Sequence, residues 1–422
     1  MRNDFTTHGP NRSEARPLRI AYLHYLLETD TALVHVEQFA AAARRLGHRV
    51  DVHAMNLAPR SAAAAPGVRS QVRAALRSRL GRYLHEPKEW LWNARYVARE
   101  TALLRSRPPD VLLVRNQGFI GSCAVVGPRL QLPVVLEMNA PVEESTLYLD
   151  EYVHLPWLPV QLERLKVHRA DAITVVSSAL KHHVVERYGA EHSKVVVVPN
   201  GADVQRFHPD VARDAAISPD GVRIGFVGSF RKWHGAELLA RMIADVGAAR
   251  PSSRFLLVGD GPEAGALRER IAPLGDRVTW PGQVAHGRVP GLIASFDIGV
   301  MPETTFYSSP LKVLEWMAAG RAVVAPAYEP LREVIDDGVH GLLFTPGDIE
   351  ALTARVIALI DQPLLRQSLG SAAAARVRDE LSWGHNASRV MGACHAARER
   401  HRARLGARPA GATHVAQQER MR

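Results

Sequence analysis

Short runs rich in Val, Ile and Leu alternate along the chain with longer Ala-, Leu- and Arg-rich segments of helical period. That alternation is the pattern of parallel strands, buried on both faces and linked by crossover helices. It predicts strands at Leu18 to Leu23, Val50 to His53, Asp110 to Arg115, Pro133 to Met138, Ala172 to Val176 and Lys194 to Pro199. A second set follows at Arg223 to Gly228, Arg254 to Gly259, Val278 to Pro281, Ile298 to Pro302, Ala322 to Ala325 and Gly341 to Phe344. The reading is an α/β chain of two similar βα arrays, with the hinge expected in the turn-rich stretch from Asn200-Gly201-Ala202-Asp203 to Pro219-Asp220-Gly221. Residues 1–17 are expected to be disordered, 18–199 to form the first domain and 200–380 the second.

A length of 422 residues with 46% hydrophobic and 23% charged positions suits two buried cores and excludes wholesale disorder or a single small module. The net charge of +10 favours an anionic partner such as a nucleotide, a nucleic acid or a lipid headgroup. Cys123 and Cys394 stand far apart with no ligand spacing around them, so neither a disulfide framework nor a structural zinc site is expected. The opening residues lack a signal-peptide apolar core and no apolar stretch is long enough to span a bilayer, so a cytoplasmic protein is expected.

Charge is concentrated between Arg69 and Arg107, where ten basic residues face three acidic ones and Leu76, Leu80, Tyr83, Leu84, Trp90, Leu91 and Trp92 are interleaved. Such a segment suits an anionic membrane surface; an ordinary solvated helix is the equal alternative. A second basic run, Arg398 to Arg408, closes the chain, and the tail 405–422 is expected to fray.

The most informative stretch is Ser308-Ser309-Pro310-Leu311-Lys312-Val313-Leu314-Glu315-Trp316-Met317-Ala318-Ala319-Gly320. Ser309 is a favourable N-cap, Pro310 a favourable first helical residue and Gly320 a favourable terminator. Free N–H groups at the start of this helix can hold a diphosphate, and Lys312 and Glu315 share one helix face. A cation beside phosphates and a carboxylate one turn deeper suit a nucleotide sugar, whereas an ordinary surface ion pair needs no ligand at all. Two further strand-loop junctions, Phe226-Val227-Gly228-Ser229-Phe230-Arg231-Lys232-Trp233-His234-Gly235 and Leu256-Leu257-Val258-Gly259-Asp260-Gly261-Pro262, put glycines and cations where a loop can approach phosphate. The spacing to Gly265 departs from a dinucleotide fingerprint.

Taken in order, Phe226-Val227-Gly228, Val258 to Pro262, Pro281-Gly282-Gln283-Val284, Asp297 to Pro302, Ser309 to Gly320 and Gly338 to Pro346 resemble the donor-binding domain of retaining glycosyltransferase family 4, a group of GT-B fold. The first half is similar in Leu46 to Val50, Leu136 to Pro141 and Ala170 to Gly201, and the closing Leu381-Ser382-Trp383 also matches.

The resemblance implies two Rossmann-like domains facing a cleft, with a helix over 381–404 crossing back to the first. It implies transfer, with retention, of a sugar from a nucleotide-sugar donor to a hydroxyl of a glycan, lipid-linked or small-molecule acceptor. Donor contacts would come from Gly228, Ser229, Gly259, Gly261, Val284, Ser309, Leu311 and Glu315, with Arg231, Lys232 and Lys312 as the cations that stabilise the leaving diphosphate. Arg115, Glu137 and Asn139, at predicted strand ends, are the acceptor-side candidates. For Glu137, a carboxylate merely satisfied by its neighbours is an equal reading. His24, His35, His182 and His183 receive no role.

With no Asp-x-Asp pair in the chain, no metal and no cofactor are expected, nor is a nucleic-acid partner. Three departures stand out. Tyr307 occupies the place of the family's first Glu, Ser229 and His234 occupy the places of its Arg and Lys, and the usual glycine pair after the first strand is replaced around Thr29-Asp30-Thr31-Ala32. Two other classes remain: a sugar-nucleotide epimerase, and a non-catalytic lipid- or nucleic-acid-binding protein.

Overall fold

The computed structural model describes residues 16–26, 32–56, 91–144 and 155–406. Among the described residues there are twelve strands, all in parallel pairs, in two six-stranded sheets. The first sheet runs β2-β1-β3-β4-β5-β6, made of β1 (Arg19–His24), β2 (Arg49–Ala54), β3 (Val111–Arg115), β4 (Val134–Met138), β5 (Ala172–Val175) and β6 (Val195–Val197). The second runs β12-β11-β10-β7-β8-β9, made of β7 (Arg223–Val227), β8 (Arg254–Val258), β9 (Val278–Gly282), β10 (Ile298–Val300), β11 (Ala322–Pro326) and β12 (Leu342–Phe344). Each overlaps a run that predicts it; the central strands are covered on both faces and their apolar runs are uninterrupted, while the edge strands β2 and β9 are only partly buried.

The chain divides into two compact units. The first takes in residues up to Val175, then Lys181–Val197 and the residues from Ala387; the second takes in Val176–Leu180 and Val198–Asn386. In the second unit the order is doubly wound, and strand order reverses between β7 and β10, where the connections leave toward opposite faces. Loops after those two strands therefore diverge and leave a crevice at the carboxyl edge, the usual ligand position in an open α/β sheet. The helix Leu311–Ala318 is seated by Trp316, which is fully buried and lies so close to Gly299 that a Cβ there would stand 2.7 Å from the indole.

The closing helix, Trp383–Gly406, carries Arg398, Arg400, Arg402 and Arg404 of the second basic run, while Arg408 and the tail beyond Gly406 lie outside the described residues. Arg404 Nη1 lies 3.1 Å from Asp171 Oδ1 and His401 Nδ1 lies 3.4 Å from its Oδ2. Arg400 donates to the Asp171 carbonyl at 3.2 Å, and the backbone N–H of Val134 completes the Asp171 carboxylate at 3.0 Å.

Most of the Arg69–Arg107 segment lies outside the described residues, as do Thr29 to Thr31. Its last part is helical over 91–106, with Tyr96, Glu100, Thr101 and Leu104 buried and Arg95, Arg99 and Arg105 exposed. Among the described residues no helix is long and apolar enough to cross a membrane.

Candidate nucleotide-sugar site in the second unit and a polar cluster in the first

Three loops meet at the β7/β10 crevice. The loop after β7 is held to that after β8 by backbone: Gly228 N–H donates to Val258 O at 2.9 Å and Glu263 N–H to Phe230 O at 3.0 Å. They approach too closely for side chains, since a Cβ on Gly259 would stand 2.0 Å from Gly228 O and one on Gly261 1.7 Å from Ser229 O. Gly259 also sits at φ +115°, a conformation that favours glycine. Trp280 fixes the glycine turn from the far side, its Nε1–H donating to Gly259 O at 2.8 Å while its ring packs at a tilt of 37° against Phe230, with centroids 4.7 Å apart.

The third loop, from β10, ends in the helix that carries Lys312 and Glu315. This helix begins at Leu311, one residue later than the Ser309-Pro310 signal predicts. Pro310 is extended at φ −73°, ψ 115°, and Ser309 does not cap. Its hydroxyl accepts the backbone N–H of Asn200 at 3.1 Å instead, while Asn200 Nδ2 donates to Ser309 O at 2.6 Å. The hydroxyl is thus spent on tying the loop down, and the N–H groups at the helix start keep no side-chain partner of this kind. Ser177 Oγ adds a bond to Tyr307 O at 2.7 Å. Tyr307, in the place of the family's first Glu, is buried at 2% exposure.

Lys312 and Glu315 are half-buried rather than members of a solvated surface pair. Lys312 Nζ lies 3.0 Å from His234 Nε2 and 4.8 Å from the centre of the Phe226 ring. Burial brings the Lys312 ammonium down to about 7, with Glu315 opposing the shift. Burial likewise pushes the Glu315 carboxyl up to about 7 against the pull of Arg206 and Lys312, with Asp203 adding to the rise. His234 is brought down to about 2 by burial and then by Lys312 and Arg231.

Of the cations expected beside the diphosphate, Lys312 is the one held inside. Arg231 and Lys232 are exposed, and Arg231 lies over Trp233 with Cζ 5.7 Å from the ring centre. Val284, just after β9, and Leu311 are half-buried, Gly228 and Gly261 are half-buried, and Ser229 is exposed. His234, Asp203 and Arg206 join the site without having been singled out for it. The signal for His234 was its place where the family carries Lys; Asp203 and Arg206 act on Glu315 from a turn about 110 positions upstream, beyond any local pattern.

In the first unit the three acceptor-side candidates do come together. Arg115 and Glu137 are directly paired across β3 and β4, and Arg115 Nη1 donates to Glu137 Oε1 at 2.6 Å. Asn139 Nδ2 donates to the same oxygen at 2.7 Å, and the Tyr22 hydroxyl donates to Oε2 at 2.6 Å. His35, given no role from sequence, places Nε2 3.1 Å from Oε1. Burial opposes ionisation of Glu137, yet His35, Arg115 and the Tyr22 hydroxyl outweigh it and hold the carboxyl well below the usual carboxylate range. A carboxylate with this many donors is satisfied by its own surroundings, so the Arg115–Glu137–Asn139 group is first a structural cluster at the strand ends. His183 pairs with Glu143 at 3.5 Å, away from that cluster. Among the described residues no group of His, Cys, Asp and Glu is placed to hold a metal ion, and Cys123 and Cys394 are both buried and free.

Residues 221–362 match the family model described as "Glycosyl transferases group 1", and residues 32–206 match that described as "Glycosyltransferase Family 4". Among curated proteins, the chain is 26% identical over 230 residues to a GDP-mannose-dependent monoacylated alpha-(1-6)-phosphatidylinositol monomannoside mannosyltransferase of Corynebacterium glutamicum, covering 50% of this chain and 59% of that protein. It is 30% identical over 252 residues to D-inositol 3-phosphate glycosyltransferase of Geodermatophilus obscurus, covering 56% and 55%. The chain thus spans a little over half the length of these curated relatives. Anabaena Alr3699/HepE, solved in complex with UDP, superposes with a TM-score of 0.64 at 17% identity over 89% of this chain and 98% of that one, a likeness of fold. Both units therefore match glycosyltransferase domain families, on the two-domain α/β fold of GT-B glycosyltransferases.

Proposed function

We propose that the protein is a retaining glycosyltransferase of family 4 that moves a sugar from a nucleotide-sugar donor to an acceptor hydroxyl. The observation that carries this reading is the placement of Lys312, half-buried on the Leu311–Ala318 helix with Glu315 one turn on, where its Nζ comes up against Gly228 of the fused glycine loops at the β7/β10 crevice. In that reading the glycine loops and helix N–H groups receive the diphosphate, Lys312 neutralises the charge that develops on it as the glycosidic bond breaks, and Glu315 accepts the ribose hydroxyls. The fold of relatives solved with UDP, UDP-glucose or UDP and glucose, and the GDP-mannose named for the Corynebacterium relative, support a nucleotide sugar and leave its base open.

The acceptor belongs to the first unit, near the Arg115–Glu137–Asn139 cluster. Retention follows if the departing phosphate helps deprotonate the acceptor on the face the leaving group vacates. A glycan or lipid-linked acceptor in polysaccharide or glycoconjugate synthesis fits the phosphatidylinositol monomannoside named for the Corynebacterium relative, and the basic segment before Arg107 suits a peripheral position on the inner face of a membrane.

A thermal-shift panel across UDP-, GDP-, ADP- and dTDP-sugars, followed by product analysis with the sugar that stabilises most, tests the proposal. A ligand bound only by the native state at 100 times its Kd raises stability by about 2.7 kcal/mol. Absence of any shift across the panel would sink the donor-site reading, and turnover of the nucleotide sugar alone to its epimer would replace transfer with epimerisation.

A further inference from the structure

His234 is anchored by the backbone in a way that fixes which of its nitrogens carries the proton. It closes the turn Lys232–His234, and its Nδ1 accepts the backbone N–H of Arg231 at 3.4 Å. An amide nitrogen always bears its hydrogen, so Nδ1 must be the bare nitrogen and a neutral ring carries its proton on Nε2. That is the atom 3.0 Å from Lys312 Nζ. An Nε2–H facing an ammonium would set two donors against each other; the contact is a hydrogen bond only if Nζ offers a lone pair. Gly228 leaves room for this approach, since a Cβ there would stand 2.6 Å from Nζ.

We propose that His234 holds Lys312 as a neutral amine before the donor binds, so that the arriving diphosphate draws a proton from solvent onto Nζ and frees the side chain from His234 toward phosphate oxygen. His234 is then a positioning residue, acting through Lys312. This inference rests on the donor-site reading for its second half only.

The charged groups around Lys312 divide. Arg231, on the His234 turn, and Lys312 itself act against a charged His234; Glu315, on the lysine's own helix, and the Phe226 ring favour an ammonium at Lys312; Arg206 and Asp203 act on Glu315 with opposite signs. Burial favours the amine, and the direction of both the Lys312 and the His234 shifts agrees with it. Bringing a doubly charged diphosphate into contact reverses the balance, because an opposite charge within about 4 to 6 Å favours the charged form.

Competitive acetylation with limiting acetic anhydride from pH 5.5 to 9.5, read at Lys312 by peptide mass spectrometry, measures the amine directly and needs no donor. The expected midpoint is near neutrality in the wild type. In His234→Gln, whose side-chain oxygen can accept from an ammonium, it should rise by about 1 to 2 units. A wild-type midpoint in the ordinary lysine range overturns the proposal, as does a His234→Gln variant that melts cooperatively yet keeps the wild-type midpoint. If that variant does not fold, His234→Asn, whose side-chain oxygen can also accept from an ammonium, takes its place under the same two criteria.

Adding UDP-glucose and GDP-mannose in separate arms should raise the midpoint for whichever one stabilises the protein. Stabilisation without such a rise overturns the proton uptake. No stabilisation by any nucleotide sugar defeats the donor-site reading, while the acetylation midpoint still judges the amine.

Discussion

At pH 8 the carboxyl of Glu100 has to ionise where water does not reach it. It is fully buried on the helix over 91–106, with the Tyr25 hydroxyl donating to Oε1 at 2.9 Å and the Ser122 hydroxyl at 2.8 Å, while Oε2 finds no partner among the described residues. Burial, which outweighs those two bonds, pushes it up to about 7. In an acid whose folded value is raised, the native state binds the proton more tightly than the unfolded chain. Its contribution is therefore full below the unfolded value near 4.3 and is lost as pH rises through 7, by up to about 4 kcal/mol. Glu100→Gln should remove that loss, so denaturant melts at pH 5 and pH 8 should differ less in the variant than in the wild type. At the same scale, Glu315→Gln keeps shape and removes charge, and donor affinity should fall by about 1.5 to 3 kcal/mol with the fold intact. Calorimetric titration of donor into the variant is the check, and unchanged affinity would remove Glu315 from the ribose.

Among the elements, those that owe their existence to local pattern were legible in the sequence, while those fixed by distant partners were not. The twelve strands are visible because runs such as Val134–Val135–Leu136 or Phe255–Leu256–Leu257 are buried on both sides. The start of the Leu311–Ala318 helix was misplaced by one residue because the Ser309 hydroxyl is claimed by Asn200, 109 positions away. His234 meets Lys312 across 78 positions, and no periodicity reports that. Glycine loops are the reverse case, readable as loops but not as a joint. Gly261→Ala would drive a Cβ into Ser229 O, so it should destabilise the second unit by about 1 to 3 kcal/mol and weaken donor binding, measurable by melting and titration of the same sample.

For the whole molecule, two expectations reach beyond any single site. Activity should survive exhaustive chelation, since the proposed leaving-group stabilisation comes from Lys312 and a helix start; loss of turnover restored by magnesium or manganese would refute it. The basic segment before Arg107 should carry the protein onto anionic but not neutral vesicles at low salt. Binding should weaken at 1 M salt, where the Debye length falls to about 3 Å. Co-sedimentation of the wild type beside a variant with Arg73, Arg77, Arg79 and Arg82 changed to Glu reads this out, and equal binding to both vesicle types would leave that segment an ordinary solvated helix.

The Asp171 clamp reaches further than its hydrogen bonds. Arg400, His401 and Arg404 belong to the closing helix, yet they complete the first unit, while almost all of the second is one unbroken stretch from Val198 to Asn386. On the ribosome, where the chain emerges N-terminal end first at about 5 to 20 residues per second, the first unit is made first and yet finishes last. For the roughly 10 to 40 seconds it takes to synthesise the intervening stretch at that rate, Asp171 waits beside β4 without its partners on the closing helix. The second unit has no such wait. A nascent chain arrested just before Ala387 should therefore protect the second unit from protease while leaving the first open to cleavage.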